Sequence, residues 1–288
     1  MSSSVRADLH SHSTASDGTL GPEQVIASAS AAGLDVIALT DHDTVAGHQQ
    51  AARALPPGLT LLPGMELSCR LDGHSVHMLA YLFDPAQPEL AAEMAAIRRS
   101  RVDRAQAMVA RLQELGAPVT WEQVSALAAG GVVGRPHIAR ALAAAGVISS
   151  PDEAFGPEWI GPGGRAHVPR YALDPVRAIE LVRGAGGVTV LAHPRGSTRG
   201  WMIPDTVITE LAAAGLTGVE VNHPNQDQAK RAALATLAAR LGLVASGGSD
   251  DHGELTGYRI GCETIEPGQY ETLIAQATGA AVVTGRQW

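Results

Sequence analysis

The chain has 288 residues, 45% hydrophobic and 17% charged, which is ample for one large domain and too long and too poor in cysteine for a disulfide-stapled miniprotein. Its 21 basic and 29 acidic side chains leave a net charge of -8, which argues against a broad basic track for long nucleic acids but permits a local cationic nest for a small anion. No apolar run reaches the roughly 20 residues of a spanning helix, MSSSVRADLH has no apolar export core, and Cys69 and Cys262 lack CxxC spacing, so a cytoplasmic protein without a membrane partner is expected.

Apolar runs alternate with helical-period runs, the pattern of a βα protein with a mainly parallel sheet. Strands are predicted at Arg6 to Leu9, Val36 to Thr40, Leu59 to Pro63 and Val76 to Leu82, with a helix over Pro22 to Ala32. From Pro88 to Ala145 helix follows helix, with Ile97, Val102, Met108, Val109, Leu112 and Leu115 at helical spacing, and the Gly/Pro-rich FGPEWIGPGGRAHVPR comes next. Strands then return at Val188 to Ala192, Gly218 to Val221 and Leu243 to Ser246, with helices at Pro204 to Ala214 and Asn225 to Leu241. Gly33, Gly215 and Gly242 stand where helices want a left-handed residue. The expected organisation is a barrel in residues 1–94 and 170–288, with a helical insert plus loop at 95–169 capping its active-site end.

Asp8-Leu9-His10-Ser11-His12 follows the first strand, and strand alternation points both imidazoles to one side, within reach of one cation. An HxH pair alone is common, but other strand tips add the same residue types. Thr40-Asp41-His42-Asp43 closes the second strand, Glu66 ends LLPGMEL, His77 lies in HSVHML, His193 ends VTVLAHP, and Asp250 and His252 end VASGGSDDHG. With Asp17 this makes nine His, Asp and Glu residues at barrel strand tips, which converge on one face. Any one of these histidines is more readily a core or capping residue. Buried together, however, the groups need a cation or partners to offset desolvation. Imidazole and carboxylate without thiolate suit Mn, Fe or Zn. Nine ligands exceed one ion's needs, so two or three divalent metal ions sharing a bridging carboxylate are expected, and phosphoester hydrolysis is the chemistry they serve best.

With DLHSHSTASDGTL, ALTDHDT, GMEL, AHP and GSDDHG in this order, the chain resembles the PHP (polymerase and histidinol phosphatase) family of metal-dependent phosphoesterases over about Ala7 to Gly253. The resemblance implies an α/β fold, a distorted (β/α)7 barrel carrying the helical insert, and a trinuclear site. It implies a first ion on His10, His12, Glu66 and Asp250, a second on Glu66, His77 and His193, and a third on Asp17, His42 and His252, with manganese foremost. Asp250 is expected to double as a general base, and His193 is counted with it as catalytic.

The insert and Gly134-Arg135-Pro136-His137-Ile138-Ala139 resemble the subgroup of 3',5'-nucleoside bisphosphate phosphatases, which also contains enzymes that trim RNA 5' ends. The implied reaction is hydrolysis of the 3' phosphoester of a nucleotide bearing a 5'-phosphate, so the expected partner is a small nucleotide or short oligonucleotide. Phosphate contacts are expected from Arg135 and His137 at a helix start, from Arg165, and from Arg195 beside His193. His223 is expected to touch substrate or cap a helix, Arg170 to face solvent, and Trp159 and Trp201 to pack before they stack on a base. A 5'-to-3' exoribonuclease, a histidinol phosphate phosphatase and a non-catalytic metal-binding module are the alternatives.

Overall fold

The computed structural model describes residues 5–196 and 201–285. Seven strands lie side by side in chain order: β1 (Ala7–Asp8), β2 (Val36–Leu39), β3 (Thr60–Leu71), β4 (His74–Tyr81), β5 (Val188–Leu191), β6 (Gly218–Asn222) and β7 (Val244–Gly247). They form a nearly closed α/β barrel. The ends meet through the chain beyond β1 and β7, where Leu9 N donates to Gly247 O at 3.2 Å and Asp250 N donates to His10 O at 2.8 Å. This approach requires glycine: a Cβ on Gly248 would sit 2.5 Å from the His10 Cβ. A short β8 (Val283–Thr284) pairs antiparallel with β3.

All seven predicted strands form, with one departure from a parallel sheet. β3 runs beyond Pro63 to Leu71 and turns back as an antiparallel hairpin with β4, which is also antiparallel to β5. The turn is Asp72-Gly73, with φ of 47° and 83°, the left-handed pair that twists a two-residue hairpin correctly. Glu66 therefore lies inside β3 and not at its end.

Helices α1 (Pro22–Ala31) and α2 (His48–Arg53) flank the first strands. After β4 come α3 (Pro88–Glu114), α4 (Trp121–Ala128) and α5 (Arg135–Ala144). A 3-10 turn at Pro151–Phe155 follows, then α6 (Pro175–Gly184) before β5. α7 (Asp205–Ala213), α8 (Gln228–Leu241) and α9 (Pro267–Ile274) complete the order. α8 starts three residues later than expected because Asp227 caps it, accepting from Lys230 N at 2.9 Å.

The expected insert boundary near residue 95 falls within one continuous helix. The first turns of α3 bury Leu90, Met94 and Ile97 in the barrel's apolar cluster. Its last turns bury Ala105, Met108, Val109 and Leu112 in a separate cluster with Val124, Ile138, Leu142 and Ile160. Arg101 is buried between the two. Among the described residues no helix is long and apolar enough to cross a membrane.

Candidate metal centre

All nine predicted ligands are brought to one end of the barrel, with Glu66 in their midst. Its Oε2 lies 3.0 Å from His42 Nδ1, 3.2 Å from His12 Nε2 and 3.5 Å from His10 Nε2. Its Oε1 lies 2.5 Å from His77 Nδ1 and 3.2 Å from His193 Nε2. Asp250 Oδ1 is 3.3 Å from the Nε2 of both His10 and His12. Asp17 lies 3.5 Å from His252 Nε2 and 3.8 Å from His42 Nε2. His193 and Asp250 have φ of 29° and 49°, a strained left-handed backbone that the surrounding barrel must enforce.

This donor set fits divalent ions. His10 Nε2, His12 Nε2, His42 Nδ1 and Asp17 Oδ1 are buried without hydrogen-bond partners, a costly arrangement that bound cations relieve. Ligand atoms converge within 4.8 Å of one another in His10, His12, Glu66 and Asp250, in His12, Asp17, His42 and His252, and in His42, Glu66 and His77. The first two groupings contain the first and third sets implied by resemblance. In the last, His42 takes the place expected of His193, although His193 reaches the same Glu66 oxygen as His77.

Charge compensation runs through the cluster. Burial works against the Glu66 carboxylate, but His77, His42 and His10 hold it well below the ordinary range. Asp17 and Asp250 are likewise held down, against burial, by neighbouring histidines. Burial disfavours protonation of His12, yet the neighbouring Asp250 and Glu66 carboxylates push it up to about 10, whereas burial takes His42 down to about 4. Both Asp250 oxygens face imidazole nitrogens, Oδ1 lying 3.3 Å from His10 Nε2 and Oδ2 3.2 Å from His223 Nε2.

The sequence reading missed Glu220, a fully buried carboxylate inside the apolar strand GVEVN. Its Oε1 lies 3.0 Å from His10 Nδ1 and its Oε2 accepts from His193 N at 2.8 Å. It thereby turns His10 Nε2 toward the site. Glu220→Gln should lower metal affinity about 10–100-fold. Competition with a metal-sensitive dye would measure this, and unchanged affinity would mean that His10 is oriented by packing alone.

The predicted substrate contacts divide. A cavity of about 670 Å³ opens over the ligands, and Arg135 lines it together with Arg70, Arg101, Arg104, His167 and Arg170. Arg170, expected at solvent, is instead buried to 9% exposure, because the loop after the insert folds back over the barrel mouth. Arg165 is outside the lining, 61% exposed and 3.6 Å from Glu158, since its glycine-rich loop turns it outward. Arg195 is tied to Asp205 and the Ile203 carbonyl at the start of α7. His137 is buried, its Nδ1 accepting from Gly134 N at 3.0 Å, and so shapes its own helix start. His223 is also buried, accepting from Asn225 N at 3.1 Å through Nδ1, which leaves Nε2 to donate to Asp250. Trp159 packs against the insert cluster and Trp201 stacks on His74 with ring centroids 4.2 Å apart.

A carboxylate-centred cluster of imidazoles at the mouth of an α/β barrel, beneath a cationic roof, defines a metallohydrolase for phosphorylated substrates. The PHP domain model matches residues 8–118. A 5'-3' exoribonuclease of Haemophilus influenzae is 36% identical over 85% of this chain and 89% of its own length. A 3',5'-nucleoside bisphosphate phosphatase of Chromobacterium violaceum is 36% identical over 85% of this chain and 86% of its own. The crystal structure of a protein from Bifidobacterium adolescentis, assigned as a metal-dependent phosphoesterase, superposes with a TM-score of 0.88 at 34% identity, covering 94% of this chain and 96% of that one. The chain belongs to the PHP family of metal-dependent phosphoesterases.

Proposed function

We propose that the chain hydrolyses the 3' phosphoester of a nucleotide that also carries a 5'-phosphate, as a 3',5'-nucleoside bisphosphate phosphatase. The observation that carries this reading is that Arg70, Arg101, Arg104, Arg135 and Arg170 line the same cavity as the metal ligands. Burial, and then the crowding of Arg135, Arg170, Arg101 and Arg70, presses the Arg104 guanidinium below its ordinary range, the direction that an anion placed among them would offset. Arg170 Nη1 is buried with no hydrogen-bond partner, and the nearest Asp43 oxygen is 3.7 Å away. These groups hold a 5'-phosphate, while the scissile phosphate meets the histidine and carboxylate cluster.

His10, His12, Asp17, His42, Glu66, His77, His193, Asp250 and His252 hold the divalent ions, two or three in number and manganese first among them. When bound, such ions neutralise developing phosphoryl charge and lower the pKa of water. Glu66 joins donors from just beyond β1, β2 and β5 and from within β4. Glu220 fixes His10, and the His223 N–H fixes Asp250. Nucleotides are small, and the net charge of -8 suits a substrate gripped locally.

With Mn supplied, the protein should release phosphate from a 3',5'-bisphosphate. Arg135→Ala with Arg170→Ala should raise KM for that substrate about 100-fold while leaving KM for a nucleoside 3'-monophosphate nearly unchanged. Equal effects on both substrates would remove the 5'-phosphate from the assignment.

A second observation favours the exoribonuclease reading. A smaller cavity of about 100 Å³ also borders His77, His193 and Asp250, and Ser75, Trp201 and Asn225 line it. It offers room beside the scissile phosphate for the first atoms of a downstream nucleotide, which a bisphosphate lacks. A substrate series from bisphosphate to pentanucleotide separates the two readings by where kcat/KM peaks.

A further inference from the structure

We infer that the 3-10 turn Pro151–Phe155 is a nucleobase subsite, in which Phe155 stacks on the base and Asp152 binds its amino edge. This rests on the nucleotide reading above and adds the part of the substrate that phosphate contacts do not reach.

The chain has only two phenylalanines, and Phe155 is spent on a surface: it is 37% exposed and lines the arginine cavity. Apolar side chains of its size are ordinarily packed away. The neighbouring Ala154 is fully buried in the insert cluster, so the turn is anchored while Phe155 is held out. The Arg135 guanidinium lies 5.4 Å from the Phe155 ring centroid, a cation–π contact that orients the ring. An aromatic face beside guanidinium groups is the pairing that holds bases without demanding one sequence. Pro136 and Pro162 give this part of the cavity further apolar wall.

Asp152 gives the subsite a preference. In a 3-10 helix residues three apart eclipse, so Asp152 and Phe155 project from the same side, and both line the cavity. Among the described residues Asp152 is the one carboxylate in that lining outside the predicted metal-ligand set. It accepts hydrogen bonds and cannot donate them when ionised. Adenine, guanine and cytosine present an exocyclic amino group to it. Uracil presents one N–H between two carbonyls, whose oxygens the carboxylate repels. The subsite therefore favours amino-bearing bases over uracil.

The test compares adenosine and uridine 3',5'-bisphosphates with an abasic ribitol bisphosphate of the same phosphate spacing, using the full chain with Mn. Phe155→Ala should raise KM for the adenosine compound about tenfold or more, with kcat and the abasic KM unchanged, and Phe155→Trp should restore it. Asp152→Ala should erase the preference for adenosine over uridine. Equal KM for adenosine and abasic compounds in the wild-type protein overturns the inference while leaving the bisphosphate reading intact. So does a Phe155→Ala effect of equal size on all three. Hydrolysis of none of the three by the wild-type protein overturns both.

Discussion

Glu66→Ala is expected to abolish phosphate release, with kcat falling at least about a thousandfold, and to strip the protein of metal. The carboxylate lies within 3.5 Å of five histidines, His10, His12, His42, His77 and His193, so no other side chain touches as much of the centre. Its removal leaves those imidazoles facing one another, with the charge stabilisation of several kcal/mol that bound ions supply no longer available. Elemental analysis beside a single-turnover assay reads both losses. Full metal content with full turnover would show that the centre does not depend on Glu66. Glu66→Gln is the sharper variant, since it keeps the volume and removes only the charge.

Asp43→Ala should be the most damaging substitution outside the ligand set, lowering stability by about 3–5 kcal/mol, as expected when one side of a buried ion pair is deleted. Asp43 is completely buried beside the ligand His42 and has a φ of 56°. Its Oδ2 accepts from Arg101 Nε at 2.6 Å and from Ser68 Oγ at 2.7 Å, while its backbone carbonyl accepts from Arg98 at 3.1 Å. One carboxylate thus ties the β2 tip and β3 to the helix that carries the insert, and it offsets the charge of Arg101 and Arg170. A thermal melt should fall by roughly 10 °C. Adding Arg101→Met should recover part of the loss, because a removed pair costs less than a stranded charge. A melt unaffected by the single change would mean that the insert is held by its apolar contacts alone.

The nine candidate ligands were legible because most stand just beyond an apolar strand run, and the barrel topology requires such tips to meet, while Glu66 and His77 lie within the β3–β4 hairpin. His10 and His12 fall on one side of an extended segment, whereas Asp250 and His252 stand beyond β7 on a backbone that is left-handed at Asp250. Glu220 escaped notice because its strand reads as an ordinary buried run with one charge, and nothing local says that His10 waits opposite. The β3 hairpin escaped for a different reason. Asp72-Gly73 is a strong two-residue turn signal, but the strand was ended at Pro63, where the apolar run breaks.

Substrate contacts were the least legible part. Arg165 and Arg195 sit beside informative motifs, yet one points to solvent and the other ties down α7. Arg101 and Arg104 lie in a plain helical stretch and reach the cavity only because α3 crosses the barrel mouth. Local sequence by itself determined the alternating βα elements, the helix stops at Gly33, Gly215 and Gly242, and which side chains are candidate metal donors, since these depend on backbone preference, periodicity and ligand chemistry. Tertiary structure alone decided which oxygen faces which imidazole, and which few of 20 arginines gather above them. A guanidinium on a long flexible stem carries no sign of its destination until packing buries it and a neighbour such as Asp43 fixes its end.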